Sequence, residues 1–297
     1  MGRWGYVPSL RRPSIREAIT RVSEVRRYRV DDLRRFAGAL TSAAGLSTTR
    51  ASLFVGNLLW FDAVGASAFG IETLPDWLER FQEGEFDLTT LGVVISETLG
   101  TVVLESESGV PPLILSRAGE LAQEKARDAG IGIVRVCRLG AMGAASAVVA
   151  GMASGPMAGF ASGPDAQHAL ALPNEEGPPA VYDSALLAGA EPGRLKRGTR
   201  SSRPPVQPVL KPWLTALVPE GDWLVLALRI DAIESLSTFL ERVGVVMNFE
   251  EAAPGQLLPA ICEARRRAVR EQGISLSSAT RGSLVDWASR LGIESIL

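Results

Sequence analysis

Between Val93 and Asp183 the chain alternates short β-branched runs with helix-like stretches, and that alternation restricts it to a layered α/β architecture. Residues 93–95 and 101–104 read as strands, 115–129 as a helix, and the β-branched run 131–136 as a further strand. A small-residue helix over 143–153 follows, then short strands at 157–161 and 180–183. Alanine and glycine on that helix allow its backbone to come close either to a neighbouring element or to a ligand.

Helices precede this region. Asp31 or Asp32 can cap a helix bearing Leu33, Phe36, Ala37 and Leu40, with Gly45 suited to its stop. Ser47 or Thr48 can cap a second helix, apolar on more than one face through Leu53, Phe54, Leu58, Trp60 and Phe61. Pro75 opens a short third helix with Trp77, Leu78 and Phe81 inward and Gly84 beyond its end. After the centre, 223–230 reads as a buried strand, and 233–243, 257–272 and 284–291 as helices. The loop-like stretch 191–212 holds five prolines and six basic residues against the single acid Glu191.

The sequence therefore divides into a basic arm over 1–29, a helical part over 30–90, a central α/β part over 91–190, a Pro/Arg-rich linker over 191–219 and a C-terminal α/β part over 220–297. The arm carries eight arginines against Glu17 and Glu24, a local charge of +6, and 14–25 can form an amphipathic helix for docking on the body or on a protein or peptide partner. Over the whole chain the net charge is −2 with 46% hydrophobic residues, which describes a globular protein and gives no bulk preference for nucleic acid. The apolar run 141–151 is too short to span a bilayer and no signal-like segment follows the early arginines, so a cytoplasmic protein is expected. Cys137 and Cys262 have no CxxC companion and read as buried, reduced packing residues, with no metal site.

The stretch that bears on function runs from Asp62 to Pro75, where Asp62, Gly65, Gly70, Leu74 and Pro75 hold a regular frame. A second glycine-rich stretch runs from Gly130 through Gly132 and Gly140 to Ala145, and Asp183 ends a strand before a small-residue turn. In this order the chain resembles the malate/L-lactate/ureidoglycolate dehydrogenase family of NAD(P)-dependent 2-oxoacid and imino acid reductases, over about residues 28–190 and 220–297. The resemblance implies a mixed-sheet, non-Rossmann α/β fold with helical N- and C-terminal parts packed together, and a homodimer with NAD or NADP near the subunit interface. Carried over position by position, it makes Gly140, Ala141, Gly143 and Asp183 the candidate cofactor-binding residues.

The departures fall where the chemistry should be. The family's serine-histidine pair, the source of the proton given to the carbonyl oxygen, corresponds to Ala68 and Phe69. Its substrate-carboxylate arginine corresponds to Thr73, and the asparagine and histidine of its second motif to Gly140 and Ala141. Phenylalanine donates no proton, and threonine makes no bidentate contact with a carboxylate. None of the standard catalytic set is retained; His168, the one histidine in the chain, read as lying in a shortened exposed loop between Ser162 and Pro173, and Tyr182 are the possible substitutes. Two readings follow: a catalytically silent or repurposed homologue that acts by binding, or an NAD(P)H-dependent oxidoreductase that reduces an atypical carbonyl or imine with a non-standard proton donor.

Overall fold

A computed structural model describes residues 26–140, 142–153, 155–164, 167–188, 219–247 and 255–297. The expected docking helix at 14–25, the bulk of the arm and linker, and Ala141 lie outside the described residues.

The chain enters through β1 (Arg27–Tyr28), which pairs with a strand near the other end of the chain, and passes into α1 (Val30–Ala43), α2 (Thr48–Ala63) and α3 (Leu74–Gln82). Ser47 caps α2 as expected, accepting the Arg50 N–H at 3.4 Å. For α1 the expectation is corrected: extended Arg29 is the cap residue, with no side-chain bond, because the chain comes straight out of β1. Asp31 and Asp32 lie inside the first turn, where they complement the helix dipole instead.

The sheet begins with β2 (Val93–Glu97) and β3 (Thr101–Glu105), followed by α4 (Pro111–Ala129), β4 (Ile131–Cys137), α5 (Ser146–Met152), β5 (Met157–Gly163), β6 (Gln167–Leu172) and β7 (Ala180–Asp183). The remainder is β8 (Trp223–Arg229), α6 (Leu236–Met247), β9 (Gln256–Leu257), α7 (Pro259–Gln272), β10 (Ile274–Ser275) and α8 (Ser278–Leu291). Eight strands form one mixed sheet in the order β2-β3-β4-β8-β5-β6-β7-β9, with β3 parallel to β4 and every other neighbouring pair antiparallel. β1 and β10 make the separate two-stranded ribbon.

One face of the sheet is sealed by α4 and α5. Val102, Leu104, Val134, Val136, Val225, Ala227, Ala169 and Val181 share a core with Ile114, Ala118, Ala122, Val149 and Met152. Close approach is set by two strand glycines: a Cβ on Gly132 would be driven into the Ala122 carbonyl, and one on Gly159 would lie 2.8 Å from the Met152 Cβ. The other face carries the alternate residues, among them Phe160, Leu226, Leu170 and Tyr182 in register across four strands.

A second core is helical. Leu33, Phe36 and Leu40 of α1, Phe54 and Leu58 of α2, and Trp77, Leu78 and Phe81 of α3 pack with Leu284 and Trp287 of α8, so the two ends of the chain build one layer. Phe54 lies edge-on to Trp77, with centroids 5.4 Å apart at 82°.

Three further readings are corrected. The stretch around His168 is strand β6, not a loop; alanines fill its inward positions, and alanine gives little strand signal. Gly143 precedes its helix, which starts at Ser146, because Gly140 turns the chain with φ +75°. Cys262 is buried, whereas Cys137 is only half-buried at the end of β4. Among the described residues no helix is long and apolar enough to cross a membrane.

Candidate functional site

The first motif is a turn built around a buried carboxylate. Asp62, 3% exposed in the last turn of α2, accepts the Ile71 N–H on Oδ2 at 2.8 Å. Burial pushes its carboxyl up to about 6, the Ile71 amide and Ser67 hydroxyl pull the other way, and the Glu72 charge adds a smaller upward push. The carboxylate sits where a side chain on residue 70 would start, which explains Gly70. Two short 3₁₀ turns, Ser67–Phe69 and Ile71–Thr73, then lead into α3.

Long-range bonds hold this turn at both ends. Glu72 accepts the Ser277 N–H at 2.7 Å and its hydroxyl at 2.9 Å, and also the Thr280 hydroxyl, so it fastens the start of α8. Arg265 of α7 lies over Gly65 and donates from Nη1 to the Val64 carbonyl at 2.6 Å, closing the end of α2. Nothing in the basic run of α7 marks Arg265 out for this role; only its packing does.

The Phe69 ring stacks obliquely on Phe61 at 5.6 Å and 41°, and Phe61 meets Trp60 edge-on at 5.2 Å. A Cβ on Gly143 would be 3.2 Å from Phe69 Cδ1. The fold therefore joins the two glycine-framed stretches through a phenylalanine. Thr73 Oγ1 donates to the Gly70 carbonyl at 2.8 Å, which places the hydroxyl inside the turn.

The loop after β4 is fixed from below. Gly140 donates its N–H to the Gly221 carbonyl at 2.8 Å, and its own carbonyl accepts the indole N–H of Trp223 at 2.8 Å. Asp222 accepts the Arg138 N–H at 2.8 Å and the Arg135 Nε–H at 2.7 Å. Above Gly140 the space is open among the described residues: a Cβ there meets no atom within 4 Å. A ligand could approach the main chain at that point.

Asp183 is 2% exposed and its carboxylate is engaged on both oxygens, accepting the Ser146 hydroxyl at 2.6 Å and the Ala185 N–H at 2.8 Å. Burial raises its carboxyl while these bonds oppose the rise. It thus ties β7 to the start of α5 and forms the turn after the strand. Its contribution to the loop is positioning.

His168 and Tyr182 lie elsewhere. Strand alternation puts both on the sheet face opposite Asp183 and α5, whereas Phe69 comes in with α2 on the α4/α5 side. His168 Nδ1 is 3.0 Å from Ser162 Oγ, its ring stacks on Phe160, and its Nε2 is buried without a partner among the described residues. Burial lowers its basicity, so the exposed, solvated histidine of the sequence reading is corrected. Among the described residues no three His, Cys, Asp or Glu side chains are grouped to hold a metal ion.

A mixed sheet closed on one face by two helices, with an Asp-framed turn meeting a glycine loop at its edge, defines an α/β protein outside the Rossmann class. Residues 28–173 match the malate/L-lactate dehydrogenase family. A 106-residue stretch is 28% identical to a malate dehydrogenase of Pyrococcus abyssi; it covers 36% of this chain and only 29% of that enzyme. The fold is shared more fully. Malate dehydrogenase from Pyrococcus horikoshii OT3 superposes with a TM-score of 0.75 at 18% identity, covering 91% of this chain and 97% of that one. The δ1-piperideine-2-carboxylate reductase of Pseudomonas syringae gives 0.66 at 18% identity, covering 89% and 100%.

Proposed function

We propose that this protein is a repurposed malate/L-lactate dehydrogenase-type protein, silent toward 2-oxoacids, that acts by binding. One observation carries the reading: Phe69 stands where the family's proton donor belongs and packs on Gly143, while the Thr73 hydroxyl is bonded within its own turn. Proton supply and carboxylate orientation are lost together, and each accounts for several powers of ten in rate. The frame that holds the site persists in Asp62, Gly70, Glu72 and Asp183. That combination suits retained binding without the old turnover.

The space over Gly140, open among the described residues, favours a second reading, an NAD(P)H-dependent reduction of an atypical carbonyl or imine with solvent as proton source. NAD or NADP would approach at Gly140 and Gly143, with Asp183 holding the loop. A homodimer, a partner for the 1–29 arm and a cytoplasmic location complete the proposal. Fluorescence titration with NADH and NADPH tests it: absence of binding at millimolar cofactor removes the reductase reading. NADH oxidation driven by pyruvate or oxaloacetate above the protein-free rate overturns the silent one.

A further inference from the structure

We infer that Trp223 is the positioning residue of the loop after β4, holding the Gly140 main chain in the pose that a ligand over it would meet. This inference rests on the preceding reading that NAD or NADP approaches at Gly140. Trp223 opens β8, is fully buried, and donates its indole N–H to the Gly140 carbonyl at 2.8 Å. Two residues earlier the Gly221 carbonyl accepts the Gly140 N–H at 2.8 Å, and Asp222 between them accepts the Arg138 N–H at 2.8 Å. Three consecutive residues thus hold the loop.

The backbone of this loop needs holding. Arg138 has φ +55° and Gly140 φ +75°, and left-handed backbone at a residue with a side chain persists only where its surroundings impose it. The indole is itself fixed: a Cβ on Gly163, at the end of β5, would lie 2.3 Å from the Trp223 ring, so the strand leaves that space to the indole. Pairing of Trp223 with Val136 ties it to the strand from which the loop departs. Over Gly140, among the described residues, a Cβ meets no atom within 4 Å. A glycine offers an incoming ligand main chain alone, so the pose of that main chain is the contact surface and no side chain adapts to a shift. Loss of the indole N–H leaves the Gly140 carbonyl without this donor and frees its peptide to turn.

Trp223→Phe keeps a ring and removes the N–H, while Trp287→Phe takes an indole from the helical core and serves as the control. Fluorescence titration of the full chain with NADH is expected to give about tenfold weaker binding in Trp223→Phe and wild-type binding in Trp287→Phe. Heteronuclear NMR of the wild-type chain adds a reading that does not depend on the variant folding: the Trp223 indole N–H resonance should move when NADH is added. Unchanged NADH affinity in Trp223→Phe, equal weakening in Trp287→Phe, or a Trp223 resonance that NADH leaves in place overturns this inference alone. A wild-type chain that binds no NADH at millimolar cofactor overturns the cofactor reading and this inference together.

Discussion

Phe69 and Gly143 meet across the joint between the two glycine-framed stretches, with the ring 3.2 Å from the point where a Cβ on residue 143 would begin. Contact this tight makes each residue's tolerance depend on the other. Gly143→Ala should cost about 1 kcal/mol with Phe69 present and close to nothing in Phe69→Ala. Urea unfolding of the two single variants and the double variant measures the coupling; additive effects would show that the ring gives way freely.

Asp62 predicts a pH dependence. Its carboxyl is raised to about 6 from 3.8, so between those values the folded protein holds a proton that the unfolded chain has released. The resulting stabilisation is full below about pH 4, is lost as pH rises through 6, and is on the order of 2–3 kcal/mol. Asp62→Asn should remove this component. The check is the difference between wild-type and variant unfolding energies at pH 4.5 and 7; a constant difference contradicts the buried-acid account.

The strand glycines give a contrast. Gly132→Ala forces a methyl into the Ala122 carbonyl, a backbone atom that cannot step aside, and should cost about 3 kcal/mol or more. Gly38→Ala, inside α1 with nothing within 4 Å of the new methyl, should stabilise by about 0.5–1 kcal/mol. Thermal unfolding of both variants tests whether backbone proximity governs the sign.

Glu72 joins the first motif to α8 through Ser277 and Thr280. Glu72→Ala removes acceptors from the helix start and should destabilise by about 1–2 kcal/mol, while Ser277→Ala should cost about 1 kcal/mol. Hydrogen exchange in the first turn of α8 should rise in both. Unchanged protection there would mean that the helix does not depend on this tie.

Restoring Phe69→His and Thr73→Arg together should not create 2-oxoacid turnover. The loop after β4 would still carry Gly140 and Ala141 where the resemblance implies an asparagine and a histidine. Spectrophotometric NADH oxidation is the measurement. Turnover from these two changes alone would show that a working cofactor site had survived unaltered.

Much of the architecture was legible in the chain. Ser47 before the second helix, Pro75 at the start of the third, the β-branched run ending at Cys137 and the Asp62–Gly70–Pro75 frame each act through local backbone preference or a fixed short spacing, so residue order alone specifies them. Sheet register and helix packing decided the rest. Which face His168 occupies depends on its pairing with Ser162, and one residue of slip would reverse it. The meetings of Phe69 with Gly143, Arg265 with Val64 and Glu72 with Ser277 join segments tens to hundreds of residues apart, and only closure of the whole chain brings such atoms within a few ångströms.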